Sequence, residues 1–262
     1  SRFVARILFY RKLRKKLMTE NKVSKYLLFA FGEIVLVVIG ILVALYINNM
    51  NDLRKERVRE LGYLENIKTD LKLNISEMDK FLAVRNNNIQ SAAKILEHFD
   101  GKPINDYTAF NQLGVGIYNW QKFYTSNNTF QELVNSGNLA IISNHQIKNQ
   151  LLDIDALYIK MKSEEDHYRF DTEKLIYEPL YEMMDLNPLV QNYVFQESKG
   201  QAGKDVVLTS QYFEAYLKNT KLKNGFVMTI LELETMNGQM QALKAQSEAL
   251  IVSIDQEIGK VQ

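Results

Sequence analysis

The stretch YLLFAFGEIVLVVIGILVALYI, Tyr26 to Ile47, decides the reading of this chain. Its 22 residues make about 33 Å of helix at roughly 1.5 Å per residue, enough to cross the hydrocarbon core of a bilayer. Glu33 is its only charge. In a helix turning about 100° per residue, Gly40 and Ala44 fall within roughly 20° of the Glu33 direction. A carboxylate and two small residues therefore share one stripe, with room for a second helix to approach closely. Ile34, Leu36, Val38, Ile41, Leu42 and Leu45 offer the opposite side to lipid. An ionised carboxylate in hydrocarbon costs at least about 2.5–3.5 kcal/mol. Glu33 is thus expected to be protonated, paired or turned toward protein.

The flanks orient the run. Residues 1–25 carry nine cations against the single anion Glu20, a net of +8, which leaves −7 for the remainder of a chain whose total is +1. A short positive flank stays on the cytoplasmic side and is drawn to anionic headgroups. The expected order is a basic cytoplasmic tail over 1–25, a transmembrane helix over 26–47 and a periplasmic helical-bundle domain over 48–262. The apolar part exceeds the 7–15 residues usual in a cleaved signal peptide. No small-x-small site follows in Leu45-Tyr46-Ile47-Asn48-Asn49, so the run reads as an uncleaved anchor.

Beyond the run the expected fold is all-α, the membrane helix continuing outward into a bundle of long helices. From Leu61 a 3–4 spacing passes through Leu64, Lys68, Leu71, Ile75, Met78, Leu82, Arg85, Ile89, Ala92, Leu96 and Phe99. Such a seam marks a bundle helix or a coiled coil, with Lys68 and Arg85 suited to partial exposure or to setting register. Gly101-Lys102-Pro103 stops it. Ile104 to Ile142 reads as an irregular insertion of short helices and loops, among them a short helix over Thr129–Ser136 closed by Gly137. Ser143-Asn144-His145-Gln146 offers a capping box for a helix running to about Met184, which Pro179 kinks or breaks and Asp185-Leu186-Asn187-Pro188 ends. Ser198 to Lys204 is a loop, Ser210 caps a short helix, and a last long helix spans Lys221 to about Ile258. Three long amphipathic helices suggest an up-and-down bundle.

Chemistry is sparse. Without cysteine there is no disulfide, zinc-thiolate or thiol nucleophile. His98, His145 and His167 belong to no paired-histidine motif. Glu164-Glu165-Asp166-His167 points its side chains about 100° apart, so these four read as solvated helix surface. No catalytic, cofactor or metal residues are assigned, and no nucleic-acid reading module accompanies the basic tail. Tyr118, Trp120, Phe123, Tyr124 and Phe130 either pack an irregular core or line a groove for a ligand.

The block from Asn21 to Tyr26, continued by Gly32-Glu33-Ile34-Val35-Leu36-Val37-Val38-Ile39-Gly40-Ile41-Leu42-Val43-Ala44-Leu45, resembles a family of membrane-anchored proteins of Bacteroidota that carry a domain of unknown function. The run Thr129 to Leu139 resembles it too, and the resemblance covers residues 10–180. It implies an inner-membrane protein with a periplasmic domain and implies no activity. Three functions follow as expectations. The first is a non-enzymatic scaffold or accessory subunit that oligomerises or docks to a membrane complex through Glu33, Gly40 and Ala44. The second is a stator-like, energy-coupled subunit that passes protons at Glu33, an analogy of layout alone. The third is a periplasmic ligand-binding module.

Overall fold

The computed structural model describes residues 22–118 and 120–260. Residues 1–21, most of the basic tail assigned to 1–25, lie outside the described residues, as do the side chains of residues 22–26, 28 and 29. Helices α1 (Lys22–Phe99), α2 (Tyr107–Tyr118), α3 (Asn128–Asn135), α4 (His145–Thr172), α5 (Glu178–Met183), α6 (Leu186–Glu197), α7 (Glu214–Lys218) and α8 (Thr220–Gly259) follow in order. A π turn, Glu173–Tyr177, joins α4 to α5, and 3-10 turns lie at Asn138–Ile141 and Ser210–Tyr212. Among the described residues there is no strand, and the fold is all-α. The chain falls into two units, residues 1–59 and 60–262.

In the first unit every residue from Ala30 to Glu56 is exposed. Leu36, Leu42 and Leu45 present their side chains outward with nothing packed on them. Among the described residues this is the one helix long and apolar enough to cross a membrane.

In the second unit the core forms where α1, α4 and α8 meet, in successive layers. Leu64, Ile67 and Leu71 of α1 pack with Ile147 and Leu151 of α4 and with Leu250 and Ile254 of α8. Met78 meets Met161, Met240 and Leu243. Ala92 and Ile95 join Ile176, Leu222 and Phe226. Rising numbers on α1 thus meet rising numbers on α4 and falling numbers on α8. The first two helices run parallel and the third runs against both, which corrects the expected up-and-down order. Parallel neighbours need a crossover, and residues 104–142 supply it.

This crossover runs back along α1. Ile117 lies in the layer of Ile95, Trp120 packs near Ile89, and Phe123 packs in the layer of Met78. Ser126 N–H donates to Asn74 Oδ1 at 2.6 Å, and Asn74 Nδ2 donates to Ser126 O at 2.8 Å. Asp70 accepts from Ser126 Oγ at 3.2 Å and Thr129 N at 3.4 Å, so α3 is capped from a neighbouring helix. Asn127, its own N-cap residue, makes no side-chain cap bond. Glu60 Oε1 accepts from Ser143 N at 2.7 Å and Ser143 Oγ at 2.8 Å. Buried backbone groups outside regular structure need such partners.

The buried face of α1 is accordingly rotated from the expected seam. Leu64, Leu71, Met78 and Ala92 are buried as the spacing predicts, Lys68 is partly exposed as expected of a charge on the seam, and Leu61, Ile75, Leu82, Ile89 and Leu96 are only partly buried. The second buried row includes Glu60, Ile67, Asn74 and Ile95. Lys68 reaches across to Asp255 of α8 at 2.8 Å.

Arg85 is not partly exposed but 4% accessible, and its Nη2 pairs with Glu165 Oε1 at 2.7 Å, Glu165 being 1% accessible. Glu165 Oε1 also accepts from Phe123 N at 3.2 Å, and Oε2 from Lys162 Nζ at 3.1 Å. Lys162 Nζ donates in addition to Phe123 O at 2.8 Å. Arg85 and Glu165 thereby tie α1, the crossover and α4 at one point.

Other boundaries differ locally. Asn144 rather than Ser143 caps α4, accepting from Gln146 N and Ile147 N, because Ser143 is engaged by Glu60. Gly137 holds φ +70°, the left-handed stop expected after α3. Pro179 does not end the α4 direction: it has no amide hydrogen, and the π turn before it absorbs the mismatch as Glu178 N–H bonds Glu173 O. Gly225 lets α8 pass over that turn, since a Cβ there would lie 2.7 Å from Ile176 Cγ1 and 3.0 Å from Leu175 O. Asp185 starts a helix as well as following one, accepting from Asn187 N to cap α6. Pro188 fits there because first-turn amides have no intrahelical partner.

Glu165→Gln should cost about 3–5 kcal/mol in chemical denaturation, because it leaves the Arg85 charge buried and uncompensated. Asn74→Ala should cost less, about 1–3 kcal/mol, from the unpaired Ser126 backbone. Losses under about 1 kcal/mol for both variants would contradict this account of the crossover.

Candidate functional site

Glu33, Gly40 and Ala44 are all exposed on α1. A Cβ added at Gly40 would meet nothing within 4 Å. Nothing within the described chain uses the space that the small residues leave.

The five aromatics of the crossover do not line one groove. Phe123 is fully buried and meets Phe81 edge-on at 5.5 Å. Phe130 is buried beside Leu133 and Ile147. Trp120 packs beside Tyr168 and Leu233, with the Arg169 guanidinium 5.6 Å from its ring centre. Tyr124 is 72% exposed, the Lys162 ammonium 4.4 Å above its ring. The physical reason is the extended path along α1: residues a few positions apart fall in different core layers.

Tyr118 alone of the five lines a sizeable cavity, of about 290 Å³, together with Phe110, Tyr177, Leu180, Leu189, Phe213 and Tyr216. Helices α2, α5, α6 and α7 enclose it. The Tyr118 and Tyr216 hydroxyls lie 3.3 Å apart. Burial pushes Tyr118 up to about 12 and Tyr216 well above the usual tyrosine range. Both remain neutral hydroxyls that donate and accept hydrogen bonds, and neither acts as a base near pH 7. Among the described residues no charged side chain lines the cavity, so it suits an apolar ligand with one polar group. Sequence reasoning named only Tyr118. The closeness of Tyr177, Tyr181, Phe213 and Tyr216 to an end of the bundle was the available signal.

A second cluster lies between α4 and α8. His167 and Asp171 are one helical turn apart, and Glu232 faces them from α8. His167 Nε2 is 3.5 Å from Glu232 Oε1 and 4.0 Å from Asp171 Oδ2. His167 does not converge with Glu164, Glu165 and Asp166, but with residues four positions on and on another helix. The four are not all solvated surface as expected, since Glu165 turns inward to the buried Arg85. A pairing that spans two helices leaves no local sequence signature.

The Glu232 side chain keeps 11% of its surface. Among the described residues neither of its oxygens receives a hydrogen bond. Burial first, and then the facing Asp171 carboxyl, push Glu232 up to about 7. A carboxyl raised in the folded state contributes stability that is present below about 4.5, its ordinary value, and is lost as pH rises through about 7. In EDTA-containing buffer, Glu232→Gln should raise Tm at pH 8 by about 2–4 °C, the shift for roughly 1 kcal/mol in a domain of this size. It should flatten the fall in Tm between pH 5 and 8. A variant profile parallel to that of the parent would contradict the assignment.

A family of unknown function, DUF6090, has a model that matches residues 33–185, more than half of the chain. The match opens at Glu33, takes in most of α1 together with α2 to α5, and includes His167 and Asp171 but not Glu232. No curated protein and no solved structure matches the chain. By its sequence from the apolar half of α1 to Asp185, the chain belongs to DUF6090, a family of unknown function.

Proposed function

We propose that the protein is a non-enzymatic, single-pass subunit of the inner membrane that oligomerises or docks to a membrane complex as a scaffold or accessory component. The observation that carries this reading is the wholly exposed apolar surface of α1 from Ala30 to Ile47. Apolar area left in water costs about 25 cal/mol per Å², and the bilayer is the solvent that removes the cost. The basic residues before Tyr26 support an orientation with the N-terminus in the cytoplasm and residues 48–262 in the periplasm. Glu33 is then the costly group. A neighbouring helix laid over Gly40 and Ala44 shields it from lipid and uses their open space.

A second reading, a periplasmic ligand-binding module, is favoured by the apolar cavity with its paired hydroxyls at Tyr118 and Tyr216. The two readings are compatible in one molecule.

Cysteine crosslinking in native membranes tests the interface. Gly40→Cys should give a disulfide-linked dimer or a crosslink to a partner, and Leu42→Cys, on the lipid side, should give several-fold less. Equal crosslinking at the two positions, or none at either, would remove the support for this interface.

A further inference from the structure

We propose that His167, Asp171 and Glu232 form a binding site for a divalent transition metal of the Zn²⁺ type, which staples α4 to α8. Their donor atoms, one imidazole nitrogen and two carboxylate oxygens, lie within 4.8 Å of one another. Tetrahedral zinc holds such ligands at about 2.0–2.2 Å, which sets donors roughly 3.3–3.6 Å apart. The Nε2–Oε1 separation of 3.5 Å already fits, and the Nε2–Oδ2 separation of 4.0 Å needs a small closure. The i, i+4 spacing of His167 and Asp171 puts both on one face of α4, and α8 supplies the third ligand.

Glu232 makes the case more than the acidic character of the place. Both its oxygens are buried and receive no hydrogen bond among the described residues. Such a group is costly unless paired or bound to a metal. No Lys or Arg of the described residues pairs with Glu232 or Asp171. Arg169, nearest in sequence, is turned to Glu173 at 2.8 Å. Only His167 reaches both carboxylates. A divalent ion neutralises the two carboxylates, and the imidazole in the set favours a transition metal over Ca²⁺ or Mg²⁺, which prefer all-oxygen shells. His167 is 62% exposed, so the fourth position opens to water. A site joining two helices raises stability when filled, because the unfolded chain does not present it.

The test uses the full chain in detergent micelles, stripped with EDTA and dialysed against Zn²⁺. The expected result is about one Zn²⁺ retained per chain and a Tm rise of roughly 5–10 °C at about 100-fold excess over Kd. His167→Ala and Glu232→Gln should each weaken binding by at least about tenfold and abolish the rise. His98→Ala and His145→Ala should change neither. Glu232→Gln removes a buried charge and should fold without metal, which circular dichroism checks. A Zn²⁺-independent Tm in the parent chain would mean that the two carboxyls share a proton instead. That result, or unchanged binding in both ligand variants, overturns the proposal.

Discussion

A chain segment with little regular structure lies in the core of this helical domain, and its backbone polar groups must find partners there. That constraint shapes α1. Asn74, Asp70 and Glu60 are spaced down its length to meet Ser126, Thr129 and Ser143. Arg85 and Glu165, with Lys162, close on both backbone groups of Phe123. A buried ion pair adds little net stability, but it discriminates between registers. A slip of α1 by one heptad would set Met78 or Ala92 beside Glu165 and leave a buried carboxylate without its guanidinium. The polar row thus fixes the axial register of α1 against α4 and the crossover.

This also explains which parts of the fold were legible in the amino-acid sequence. The apolar run, the stops at Gly101 and Gly137 and the extent of α8 follow from local chemistry, and they stand where the residues indicated. One heptad row of α1, Leu64 to Ala92, was legible because most of it is apolar. The other was hidden because Glu60 and Asn74 read as surface residues until the loops they satisfy are in view. The helix over Leu186–Glu197 was obscured by Pro188, which is harmless in a first turn but disruptive later. Direction along the bundle cannot be read from periodicity, which is the same for parallel and antiparallel packing.

The candidate sites follow the same logic. Glu33, Gly40 and Ala44 were legible because a charge in an apolar run needs no tertiary information to stand out. The cavity and the His167 cluster were not, since each joins elements far apart in the chain. Tyr118 of α2 meets Tyr216 of α7, and Asp171 of α4 meets Glu232 of α8, only once these distant elements have packed together. Arg85 and Glu232 set a polar group among buried surroundings, and Glu33 would do so in the proposed bilayer. At Arg85 the protein answers with a counter-charge. At Glu33 the described chain provides no counter-charge, and at Glu232 it offers only the exposed His167 at 3.5 Å beside a second carboxyl. Those are the two positions to which outside partners are assigned, a neighbouring helix for one and a cation for the other.

The central claim is that Tyr26 to Ile47 resides in a bilayer, and alkaline carbonate extraction of membranes from expressing cells tests it most directly. The account predicts that the chain stays in the membrane pellet at pH 11. It also predicts that Val38→Lys combined with Ile39→Lys, each costing about 2.5–3.5 kcal/mol at the helix centre, releases it. Quantitative release of the unsubstituted chain into the supernatant would contradict the account.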